Sequence, residues 1–174
     1  FFQADIMISA SDANSMTEGG NVARQWMFQA LEDPEILEGT GIFVANVSWQ
    51  RADKTLGLST FGVDPTQPAF LSPEMPNSGI LDRFSRGLPR DEAAAIRPQS
   101  PLSFEVSGTT LTLYDTFSGG GGFGGDGFMM VSDQTFLTLF PARSSGAPDH
   151  ILLKLVPGAN PDAAGLALLG NRVI

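Results

Sequence analysis

Apolar residues recur along this chain with two periods, and the switches between them mark its elements. Ile6 and Ile8 alternate with Met7 inside Ala4 to Ser11, which predicts a strand apolar on both sides and therefore inside a sheet. Val22, Trp26, Met27, Ala30 and Leu31 then recur at helical spacing with Arg24, Gln25 and Gln29 between them. That pattern predicts an amphipathic helix, capped by Asn21, in a region that Gly39 and Gly41 bring to an end. Ile42 to Trp49 and Leu56 to Val63 read as two strands, with the polar Gln50 to Thr55 joining them as a hairpin. Asp64, Pro65 and Pro68 break the pattern, since each proline restricts its predecessor and removes a donor.

The second half carries sharper punctuation. Leu102, Phe104 and Val106 alternate, Ser107-Gly108 makes a tight turn, and Leu111 and Leu113 return, predicting a second hairpin. Phe128 to Val131 is a short apolar run, after which Ser132 or Asp133 caps a helix bearing Phe136, Leu137 and Phe140 and stopped by Pro141. His150 to Val156 alternates Ile151, Leu153 and Leu155 against Leu152 and Lys154, a strand. Asn160 then caps a helix with Pro161 in its first position, Asp162 at its positive end, Leu166 and Leu169 on its buried side and Gly170 as its stop. Between these parts, Arg90 to Ile96 reads as a short helix. A strand and a helix at each end with β-rich material between predicts an α+β fold: a discontinuous domain of residues 1–68 and 134–174, interrupted by a β-rich lobe of residues 69–133.

Composition narrows the function classes. With 174 residues, 42% of them hydrophobic and 17% charged, the chain can fold around a real core. Ten basic against 19 acidic residues leave a formal charge of −9, which repels nucleic-acid phosphates and anionic lipid head groups. The absence of cysteine excludes disulfides, thiolate metal sites and a cysteine nucleophile. No run reaches the roughly 20 apolar residues that cross a bilayer as a helix. Opening on Phe1-Phe2, without an initiator methionine, and closing on Arg172, Val173 and Ile174, the sequence reads as a segment of something longer.

Candidate chemistry is sparse. Gly119 to Gly125 holds six glycines around Phe123, and such a loop can wrap an anion with its N–H groups. A phosphate-binding loop, however, needs Gly-Lys-Ser/Thr leading into a helix, and Phe128 to Val131 follows instead, so a mobile connection between strands is the favoured reading. Phe123 either folds back onto the core or anchors a partner. Asp115, Asp126 and Asp133 lack the alternate-position spacing of a calcium loop. His150 is the single histidine and is expected as a partly exposed strand-end residue. Asp82, Arg83, Arg86, Arg90, Asp91 and Glu92 form a mixed-charge cluster of the kind that usually makes local ion pairs. No catalytic constellation and no cofactor-binding or metal-binding set emerges.

One ordered set of residues carries a resemblance. Phe117, Gly120, Phe123, Asp126-Gly127, Ser132-Asp133, Phe136 and Phe140 follow two upstream pieces: Gly62, Asp64 and Pro65 with Pro68, Phe70, Pro73 and Glu74, and the run from Ile80 through Asp82, Arg83 and Ser85 to Arg86. The set resembles the extracytoplasmic region of FtsX-like ABC transporter permeases, in the DevC branch beside MacB. The resemblance covers nearly the whole chain. It implies a porter-like αβ domain with an inserted, mostly β lobe, lying in the periplasm between transmembrane helices. It further implies a part that binds no ATP and performs no chemistry, but couples ATPase-driven movement of a membrane region to a periplasmic adaptor, or membrane fusion protein, and an outer-membrane channel. A cognate ATPase and a homodimeric transporter are implied with it. On that footing Gly119, Gly120, Phe123, Gly124 and Asp126 are the candidate partner-binding residues. The competing readings are a stand-alone secreted domain that binds a ligand or carbohydrate through Trp49 and the loop aromatics, and a small hydrolase with an acidic site.

Overall fold

In a computed structural model of the chain, the described residues are 2–51, 53–71, 102–106, 108–113, 128–143 and 146–170. They form a mixed five-stranded sheet with helices and a separate two-stranded hairpin. In chain order the elements are β1 (Ile6–Ser9), α1 (Gln25–Ala30), β2 (Ile36–Arg51), β3 (Lys54–Val63), β4 (Leu102–Val106), β5 (Thr109–Leu113), β6 (Phe128–Ser132), α2 (Asp133–Leu139), β7 (His150–Leu155) and α3 (Pro161–Gly170). The sheet order is β1-β7-β2-β3-β6, antiparallel throughout except for the parallel β3–β6 pair.

β2 organises the sheet. Its 16 residues pair with β7 over Ile36 to Ile42 and with β3 over Phe43 to Arg51. The expected end at Gly39 and Gly41 is therefore corrected: both glycines lie inside the strand. They are there because neighbours crowd the backbone. A Cβ on Gly39 would stand 3.1 Å from both Leu153 Cδ2 and Met27 Cγ, and one on Gly41 would stand 2.9 Å from Pro148 Cβ. A local sequence window reads such glycines as breaks, whereas here they admit a packed helix and a loop.

β1 also departs from expectation. It pairs with β7 alone and forms an edge of the sheet, with Met7 46% exposed. α1 begins at Gln25, and its N-cap position is Arg24 without a side-chain bond, so Asn21 does not cap it. The preceding turn is held to the sheet instead, Val22 N–H donating to the Pro148 carbonyl at 2.8 Å.

The sharper signals of the second half form as read. β4 and β5 pair in register, Leu102 opposite Leu113 and Val106 opposite Thr109, with Gly108 at a φ of 76° in the turn. Ser132 caps α2 by accepting from Thr135 N–H at 3.1 Å. Asn160 Oδ1 accepts from Asp162 N–H at 2.9 Å, and Pro161 opens α3. β6, expected within the inserted lobe, instead lies beside β3 in the main sheet.

Three apolar clusters form among the described residues. Val47, Trp49, Leu56 and Leu58 pack with Val106 and Leu111 of the hairpin and with Phe136 of α2, whose ring stacks on Phe43 at 5.4 Å. Ile42, Phe61, Phe70 and Leu152 fill a second cluster. Ile151, Leu153 and Leu155 meet Ala30 of α1 and Ala164 of α3 in a third. Ala164 and Leu168 thus face the core. Leu166 and Leu169, expected on the buried side, are 69% and 56% exposed.

Candidate functional site

The proposed partner-binding residues Gly119, Gly120, Phe123, Gly124 and Asp126 lie outside the described residues, as do Asp115, the Asp82 to Arg86 segment and the Arg90 to Ile96 helix. Their flanks are placed. The loop leaves from β5 and re-enters at Phe128, which opens the fully buried strand β6. Both flanks share one hydrophobic core, since Leu111 and Met129 belong to the same cluster. Of these flanks, β6 is the sheet edge opposite β1.

The described polar groups converge elsewhere, on the segment before β7. Asp149 is 1% exposed. Its Oδ2 accepts from Val44 N–H at 2.6 Å and from Arg143 Nη2 at 2.7 Å, and its Oδ1 accepts from Gly20 N–H at 2.8 Å. A buried carboxylate is tolerated only when paired and hydrogen-bonded, and here one guanidinium and two main-chain donors meet that need. Arg24 Nε donates to the Gly146 carbonyl, adding a further tie to the same loops. The described partners of Asp149 are structural, and the set clamps three segments together.

His150, expected at a partly exposed strand end, is fully buried. Its Nδ1 and Ser9 Oγ lie 2.8 Å apart. Its Nε2 has no well-formed hydrogen bond among the described residues, although main-chain groups of Met16 and Glu18 lie close enough to favour the charged ring. Burial pushes its pKa below the ordinary value, against the Asp149 charge and those main-chain groups. The β1–β7 register places His150 opposite Ser9, a pairing that no window centred on residue 150 reveals.

Other candidates lose their chemical readings. Trp49 is 5% exposed and belongs to the core, which overturns its use as a carbohydrate platform. Asp133 carries the first turn of α2; burial raises its pKa, the main-chain bond to Gln134 opposes this, and the Asp64 charge adds to the rise. Among the described residues no group of three or more His, Asp or Glu side chains is gathered as metal ligands, and no helix is long and apolar enough to cross a membrane.

No protein-family model matches this chain. No curated protein matches it either. Solved structures do. The periplasmic region of MacB from Actinobacillus actinomycetemcomitans superposes with a TM-score of 0.60 at 12% identity, over 95% of this chain and 80% of that one. The extracellular domain of the ABC-type transporter YknZ from Gram-positive bacteria gives 0.58 at 10% identity, over 87% and 84%. A domain from Porphyromonas gingivalis, described as part of a permease protein, gives 0.51 at 18% identity, over 87% and 68%. At these identities the likeness is one of fold, and on that ground the chain has the mixed α+β fold of MacB-type periplasmic domains.

Proposed function

We propose that this chain is the extracytoplasmic part of an ABC exporter permease, lying in the periplasm and passing the movement of a membrane region to a periplasmic adaptor and an outer-membrane channel. The observation that carries the reading is the fold likeness to the MacB periplasmic region over 95% of the chain. The architecture supports it mechanically. In this reading a porter-like domain of residues 1–68 and 134–174 works as one body, with the lobe of residues 69–133 inserted into it; the pairing of β1 with β7 supports this, and β6 lies in the sheet beside β3. β2 runs from the α1 and α3 end to the β4–β5 hairpin, and 16 extended residues span about 50 Å. A continuous strand of that length, paired with β7 over its first part and with β3 over the rest, suits the transmission of displacement from one end to the other. In this reading the domain is non-catalytic, binds no cofactor, works with a cognate ATPase in a DevC-like or MacB-like tripartite efflux assembly, and pairs with a second copy in the transporter.

The glycine loop is the proposed adaptor contact. Six glycines in Gly119 to Gly125 lose more backbone entropy on ordering than any other stretch, a composition that a mere strand connection does not require. Phe123→Ser tests it in the complete transporter and in this chain. The docking reading expects export to fall while the melting temperature of the isolated chain is nearly unchanged. Loss of about 3 to 5 kcal/mol in the isolated chain shows a buried core aromatic instead. The transport reading itself is tested by the complete reading frame: one apolar helix before Phe1 and three after Ile174 support it, and a frame without membrane helices sinks it.

A further inference from the structure

The large hydrophobic side chains left exposed among the described residues fall on β1, the α1 segment, the start of β2 and α3. They are Met7 of β1, Phe28 and Leu31 of the α1 segment, Leu37 at the start of β2, and Leu166 and Leu169 of α3. Met7 and Leu169 of this set line a cavity of about 300 Å³ together with Ile6, Ile8, Trp26, Ala30, Gly165 and Leu168. Phe28 and Leu166 lie on the elements that carry that lining, Leu31 follows α1 in sequence, and Leu37 lies on β2. Single exposed apolar residues need no explanation, whereas a set gathered on an apolar recess marks a contact surface.

Two features of the sheet make this face. The register shift between Ile36 and Glu38 inserts Leu37 as an extra residue and turns it outward. α3 buries Ala164 and rests Leu168 on the core, and Gly165 beside them carries no side chain. Gly165 faces open space in the recess, where a Cβ placed on it meets no atom within 4 Å.

The charges around the recess identify its occupant. Asp5, Glu32, Asp33, Glu35, Glu38 and Asp162 lie on or beside β1, α1, the start of β2 and α3. Asp5 accepts from Leu155 N–H at 2.9 Å, and the Glu35 carbonyl accepts from Val156 N–H at 2.9 Å, which places both residues where β7 leads toward α3. Among the described residues no Lys or Arg occurs within β1, α1 or α3, and Arg24, at the N-cap of α1, is engaged by the Gly146 carbonyl. Lys154 of β7 points to the opposite face, its Nζ 5.8 Å from the centre of the Phe70 ring. An apolar recess framed by one sign of charge selects a partner of the other sign. A second copy would set acid against acid, and an anionic lipid surface meets the same repulsion.

We propose that the recess between α1 and α3 at the β1 edge is a docking site for an amphipathic helical segment of a partner protein, with apolar residues on one face and Lys or Arg flanking them. The recess takes the apolar face in the manner of a helix lying in a groove, and the acidic rim sets its orientation. This surface is independent of the transport reading and of the glycine loop.

The test uses the 174-residue chain and a fluorescein-labelled Leu/Lys peptide with its leucines at helical spacing, followed by anisotropy. The controls are a scramble of the same composition and the Leu/Glu counterpart. Gly165→Phe fills the recess from within a helix, at a site with room for it. Leu169→Gln removes an exposed apolar contact without touching the core. The expected result is saturable binding of the helical Leu/Lys peptide, weakened about tenfold or more by either substitution, with the circular dichroism and melting temperature of the chain retained. No binding, equal binding by the scramble or the Leu/Glu peptide, or unchanged binding in both variants overturns the proposal. Self-association of the chain, or its binding to phosphatidylglycerol vesicles, overturns it as well if Gly165→Phe abolishes that association, because the occupant is then a second copy or a lipid.

Discussion

Ser9 and His150 stand opposite each other across the β1–β7 pair, 141 residues apart in sequence and joined by a 2.8 Å contact between Ser9 Oγ and His150 Nδ1. The contact ties the edge strand β1 to β7 beside main-chain groups of Met16 and Glu18, and burial of the ring there disfavours its charged form.

That buried ring makes stability depend on pH. Because burial lowers the folded-state pKa, the unfolded chain takes up a proton near the ordinary value of about 6.5 while the folded chain resists it. Stability is therefore flat above that pH and falls as pH drops below it toward the folded-state value. Urea midpoints between pH 8 and 5.5 should show this slope in the wild type. His150→Asn, which keeps a polar group near Ser9 and cannot titrate there, should be less stable at pH 8 but nearly flat over the interval; equal slopes in both proteins would remove His150 as the cause.

Asp149 and Arg143 should behave unequally. Their side chains are 1% and 25% exposed, so Asp149→Ala leaves two main-chain donors and a guanidinium without their partner, whereas Arg143→Ala leaves a carboxylate that still holds Gly20 and Val44. Removing one partner of a buried pair costs about 3 to 5 kcal/mol, and Asp149→Ala is expected in that range with Arg143→Ala below it. Denaturant unfolding decides the order. Amide exchange at Gly20 and Val44 should quicken in Asp149→Ala alone, and the reverse order would show that the clamp depends on the guanidinium.

Gly62 is the tightest of the described glycine contacts. An added Cβ would lie 2.5 Å from Phe136 Cβ and 2.8 Å from its Cγ. Phe136 stacks on Phe43 and touches Phe140 at 4.7 Å between centroids, so it has little room to retreat. Gly62→Ala should cost about 1 to 3 kcal/mol by overpacking. A fully stable variant would show that α2 shifts freely on β3.

Nucleotide should not bind to this chain. Its two lysines are Lys54 and Lys154, and neither follows a glycine. Lys54 opens β3 and Lys154 sits in β7, so neither stands at the glycine-to-helix junction that holds phosphates. Titration of magnesium ATP into the chain by calorimetry should give only dilution heat, and micromolar binding would overturn the passive coupling role.

What the sequence determined by itself was local. Ser107-Gly108 between two alternating runs gave the β4–β5 hairpin, because turn chemistry and a period of two act within a dozen residues. Ser132 before Asp133, and Asn160 before Pro161, gave two helix starts, since a cap is satisfied by donors two or three residues away. Only the tertiary structure decided which elements lie at an edge and which side chains are covered. Gly39 and Gly41 read as an ending until Met27, Leu153 and Pro148 are seen crowding them. The leucines of α3 do not reveal a side: Leu166 and Leu169 are exposed because Ala164 and Leu168 are the residues turned toward β7 and β1. Edge position and burial are sums over contacts between residues far apart in sequence, and a strand or helix with apolar groups on every side carries no local instruction for choosing among them.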